Sequence, residues 1–118
     1  MLGYKVSKDH IEAVRRAFPA DWLEREDSEA PQDWASDCLS WRAETVEEIF
    51  GWGDGEPFGV RIRGVPGAYF VEANEFDNVG MFSTLEEARE GRDQAYSGLD
   101  LFPTKEEVWA HAEERGYI

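Results

Sequence analysis

From Phe58 onward the apolar residues of this 118-residue chain fall at every second position: Phe58, Val60 and Ile62 alternate with Gly59, Arg61 and Arg63. A period of two marks a strand with one face buried, because successive side chains leave a pleated backbone on opposite sides. Gly64-Val65-Pro66-Gly67 supplies turn residues, and further apolar runs at 68–73 and 79–82, separated by a polar loop at 74–78, complete an antiparallel meander of three strands. Such a sheet is too small to cover itself. Helices must therefore pack on one of its faces, and the other face, with Arg61 and Arg63, is expected to stay open. Those two arginines are placed to pair with Glu72 and Glu75 across the hairpin.

The flanking segments carry helix signals. Ser7 can cap a helix in which Ile11, Val14 and Phe18 recur at spacings of three and four, and Pro19 ends it. Ser83 or Thr84, each with a glutamate three residues on, opens a helix to about Tyr96. Pro103 and Thr104, with Glu107 at the third position, open a last one that carries Val108, Trp109 and Ala112 and closes at Gly116. Thr45 with Glu48 fits a capping box ahead of Val46, Ile49, Phe50 and Trp52, which predicts a short helix, with a strand as the alternative. Between 20 and 40 the periodicity is poor; Trp22-Leu23 and Trp34 can seat short helical turns, but Pro31 and the acid cluster point to a largely irregular segment anchored by tryptophans. The sum is a single α+β domain spanning 1–118: a small three-stranded antiparallel meander, an N-terminal helix and two C-terminal helices packed on one face. Sixteen aromatic residues give it a core to fold around.

Charge restricts what such a domain can bind. Twenty-six acids against twelve lysines and arginines leave a net charge of −14, and residues 19–56 alone hold twelve acids against two bases. So negative a surface repels nucleic acid, anionic lipid and phosphate ligands, and it favours a basic protein or nucleoprotein complex as partner. Direct nucleic-acid binding is not expected. No stretch reaches the roughly 20 apolar residues that span a bilayer and no secretory signal opens the chain, so the expected location is cytoplasmic, away from membranes.

The residues suited to catalysis are few. Cys38 is the single cysteine and reads as a small buried residue, and His10 and His111 lie on predicted helices near the two ends of the chain. Glu107 and His111 sit one helical turn apart, which is two ligands and too few for a metal cage. Glu72, Glu75 and Asp77 lack the pattern of a calcium loop. Gly51, Gly53, Gly55 and Gly59 match a phosphate loop only in composition, since Asp54 and Glu56 would repel the anion. The chain is therefore read as a binding protein, not an enzyme, with no cofactor and no metal.

The expected binding surface is Asp21, Trp22, Glu24, Glu26, Asp27, Glu29, Asp33, Trp34 and Asp37, where carboxylates for basic partners interleave with aromatic anchors, Trp41 among them. In charge, size and aromatic content the chain resembles the immunity proteins that neutralise nuclease toxins and the anti-CRISPR proteins that mimic nucleic acid. The resemblance is one of character, carried by no motif. It implies an inhibitor that occupies the basic nucleic-acid-binding or active-site surface of its partner. The alternative is a non-catalytic accessory or assembly domain of a bacterial protein complex, in which acidity serves solubility and strand edges could support a homodimer.

Overall fold

The computed structural model of the chain describes residues 6–73 and 78–118. In chain order the elements are α1 (Lys8–Ala17), α2 (Pro19–Glu24), α3 (Pro31–Arg42), β1 (Glu44–Gly53), β2 (Glu56–Val65), β3 (Ala68–Glu72), β4 (Asn78–Phe82), α4 (Leu85–Ala95) and α5 (Lys105–Glu114). The α+β class, the meander and the packing of helices on it are as expected. The described sheet has four strands rather than three, all antiparallel, in the order β1-β2-β3-β4. Residues 74–77, which hold most of the expected polar loop and its acids Glu75 and Asp77, lie outside the described residues.

The additional strand is the segment read as a short helix with a strand as the alternative, and the strand is what forms. β1 pairs with β2 from Glu44↔Gly64 to Gly53↔Glu56, leaving only Asp54 and Gly55 to turn the chain, at φ 52° and 81°. Two consecutive residues with positive φ form the primed turn whose twist matches that of a hairpin, and Asp-Gly is one of its preferred pairs. Residues 20–40 also differ from expectation, since they form α2 and α3. Pro19 and Pro31 each stand at the first position of a helix, where the missing N–H costs nothing and the fixed φ suits the turn.

Alternation along β3 divides the core between the two sheet faces. Phe70 belongs with Val14 of α1 and Leu39 and Trp34 of α3, whereas Val71 belongs with Val60, Ile62 and Ala88 of α4. Helices thus reach both faces rather than one, and α5 lies against β1 and β2. The result is elongated, 56 × 22 × 20 Å, with the α1–α3 group and α5 at opposite ends of β1.

The face that carries Arg61 and Arg63 is not bare: it is the face of Phe70, which α1 and α3 cover, and Arg63 lies over the Phe70 ring. Glu72 accepts from Arg61 Nη2 at 2.8 Å and from Arg63 Nη1 at 3.2 Å, and Arg63 Nη2 also donates to the carbonyls of Ser40 and Ala43 at 3.0 Å each. The arginine pair expected on sequence grounds therefore joins three neighbouring pieces: β2, β3 and the C-terminal end of α3, whose last carbonyls need donors. On the other face Glu47 of β1 sits between Arg89 and Arg92 of α4.

Candidate functional site

The expected binding residues come from α2, the turn after it and α3. Trp34, Asp37, Cys38 and Trp41 recur at helical spacing along one side of α3, and with Asp21, Glu24, Arg25, Glu29 and Arg42 they line an open cleft of about 240 Å³. Four acids face two arginines there. Arg42 pairs with Asp21 at 3.1 Å, and the Arg25 guanidinium lies 4.0 Å from the centroid of the Trp22 ring. Glu24, Glu26, Asp27, Glu29, Asp33 and Asp37 form no ion pair among the described residues. Glu26, Asp27 and Asp33 stand exposed outside the cleft lining.

Trp22 and Trp34 have different environments from the acids. Trp34 is only 5% exposed and belongs to the core, and Trp22 packs edge-on against it at 5.1 Å with Arg15 and Arg25 over its ring. Neither presents a free face of the kind that inserts into a partner. The exposed apolar groups of this region are Trp41, at 84%, and Leu23, at 82%. Trp41 stands seven residues after Trp34, hence on the same side of α3.

Cys38 lines the floor of the cleft. Burial pushes its thiol up and the Asp21 carboxylate pushes it further, with Arg42 opposing both, so the sulfur stays protonated and is a poor nucleophile at neutral pH. Neither histidine is hydrogen-bonded to it among the described residues. His10 is held between the hydroxyls of Ser7 (2.8 Å) and Ser83 (3.1 Å), and burial lowers its pKa against the raising effect of Asp9 and Glu87. His111 Nε2 lies 3.4 Å from Asp100.

No group of three or more His, Cys, Asp or Glu side chains among the described residues is arranged to hold a metal ion, and no helix among them is long and apolar enough to cross a membrane. What the cleft can do chemically is accept hydrogen bonds and neutralise positive charge around a large exposed ring. Comparison with protein-family models, with curated proteins and with solved structures gives no match.

Proposed function

We propose that this chain is an acidic inhibitor that occupies the basic nucleic-acid-binding or active-site surface of a cytoplasmic partner, using the α2–α3 cleft and its rim. The observation that supports this reading is the set of six carboxylates without intramolecular ion partners among the described residues, three of which, Glu24, Glu29 and Asp37, line the cleft together with the exposed Trp41. Uncompensated acids raise the encounter rate with a cationic surface, and an exposed tryptophan among them supplies the apolar contact that carries affinity. Arg42 is paired with Asp21, so among the cleft's lining residues Arg25, stacked on Trp22, is the single positive charge set against the unpaired Glu24, Glu29 and Asp37.

The test is affinity capture from the native host at low salt with stepwise salt elution, followed by titration of the captured protein with variants. Reversing Glu24, Asp27, Glu29 and Asp33 to lysine should weaken binding at least 100-fold and flatten its salt dependence, and Trp41→Ala should weaken it about tenfold. Unchanged affinity in both variants, with an unchanged fold, would refute this placement of the interface. The assembly-domain reading is supported by a different observation, the 44% exposure of Trp109 on α5. Capture of a neutral partner that resists salt and is lost in Trp109→Ala would put that reading first.

A further inference from the structure

A second cluster of rings sits at the far end of β1, roughly 30 Å along the strand from the cleft if each residue adds about 3.3 Å. Trp52 of β1 meets Trp109 of α5 edge-on at 5.2 Å and lies nearly parallel to Tyr117 at 6.4 Å, while His111 meets Tyr117 edge-on at 6.2 Å. Trp52, Leu99, Asp100, His111 and Tyr117 line a pocket of about 180 Å³. The pocket is built rather than incidental. Gly116, at φ 76°, ends α5 in a paired closure in which its N–H donates to the Glu113 carbonyl and the Tyr117 N–H donates to the Ala112 carbonyl at 2.8 Å. This is the Schellman arrangement, and it folds the chain back so that Tyr117 lies over Trp52 and His111.

The geometry points to an aromatic cage for the guanidinium of an arginine side chain on a partner polypeptide. Ring faces carry negative potential and attract a cation, and the planar guanidinium both stacks on indole or phenol and donates to a carboxylate. Asp100 supplies that carboxylate at the pocket wall, with its side chain 65% exposed and its contact to His111 at 3.4 Å. The same pairing already occurs inside the molecule, where Arg25 and Arg15 lie over Trp22. Size selects the source. About 180 Å³ is below the roughly 300 Å³ at which pockets begin to enclose a whole small molecule, yet it accommodates one side-chain head group. Net charge favours the cation as well. The cage shares no residue with the acidic cleft and does not rest on the inhibitor reading.

The experiment follows the indole N–H resonance of Trp52 in the 15N-labelled full chain at fixed pH and ionic strength. The probes are a blocked Gly-Gly-Arg-Gly-Gly peptide, its glutamate counterpart and guanidinium chloride. The arginine peptide should shift Trp52 saturably, bind at least tenfold more tightly than guanidinium chloride, and weaken about tenfold in Tyr117→Ala and about threefold in Asp100→Asn, with the remaining amide resonances of both variants in place. A Trp52 shift no larger than that from matched sodium chloride would overturn the cage, as would equal binding in Tyr117→Ala. Guanidinium chloride binding as tightly as the peptide would overturn the polypeptide source. Trp41 reports on the cleft and Trp52 on the cage, so failure of one leaves the other standing.

Discussion

At single residues, the group that joins most pieces of this fold is Glu72. Its side chain is 14% exposed and accepts from both Arg61 and Arg63, and Arg63 in turn holds the end of α3. Removing the carboxylate leaves two guanidinium groups short of a partner in a partly desolvated place, which costs more than the pair contributes. Glu72→Ala should lower unfolding stability by about 2 kcal/mol in urea titration, discounted from a fully buried pair because water still reaches the arginines. A loss under about 0.5 kcal/mol would mean that the network is only surface decoration. His10 makes a prediction about pH. Its pKa is lowered below the ordinary 6.5 chiefly by burial, so the unfolded chain binds its proton first as pH falls. Stability should therefore decline from pH 7 downward through the window between 6.5 and the depressed folded value. Glu47 acts later: burial alone would raise it, but Arg89 and Arg92 outweigh burial and lower it, so its contribution is present above 4.5 and is lost as pH falls through the folded value. Thermal melts of His10→Gln should show a shallower slope between pH 7 and 5.5 than those of the parent chain. An equal slope would assign the effect to other groups.

At the scale of elements, what was legible in the sequence depended on whether local and tertiary signals agreed. Ser7, Thr84 and Thr104 each cap the helix their spacing announced, each by accepting from the N–H three residues on. Alternation located β2, and turn residues bounded β3. β1 reads first as a short helix and only second as a strand, because Thr45 and Glu48 imitate a capping box while Val46, Ile49, Phe50 and Trp52 imitate a helical face. The contrary signal was Asp54-Gly55 between two runs rich in β-branched and aromatic residues, which only pairing with β2 makes decisive. α3 was missed because Pro31 reads as a breaker in isolation, although Trp34, Ala35, Cys38 and Leu39 recur at helical spacing and are all buried. Gly55 tests the hairpin directly. Nothing lies within 4 Å of the position a methyl group would take, so Gly55→Ala adds no clash and measures the positive φ of 81° alone. The expected loss is about 1 kcal/mol in urea titration. A neutral or stabilising result would mean that the turn relaxes to another type at no cost.

For the whole molecule, the governing quantity is a charge of −14 spread over an elongated body, with most of the excess on the α2–α3 end and the first part of β1. The charge excess of the candidate site and its tryptophans are legible in the sequence, but which ring stands exposed is not, because helical spacing places Trp41 on the side of Trp34 without saying where the core stops. Self-repulsion among acids without ion partners opposes folding and is screened within about 10 Å at 0.1 M salt. The same acids attract a basic partner, and that attraction is screened equally. The two consequences have opposite signs. Raising sodium chloride from about 20 to about 500 mM should raise the melting temperature of the free chain by several degrees while it weakens binding to a cationic partner by at least tenfold. Reversing Glu24, Asp27, Glu29 and Asp33 to lysine should diminish both salt responses together, since one set of charges produces both. If the reversal abolishes the salt dependence of binding but leaves that of melting unchanged, the destabilising repulsion lies elsewhere on the surface. If it leaves both unchanged, the acids of this end carry neither the strain nor the recognition. A parallel loss of both would tie the cost to stability and the attraction for a partner to the same few carboxylates.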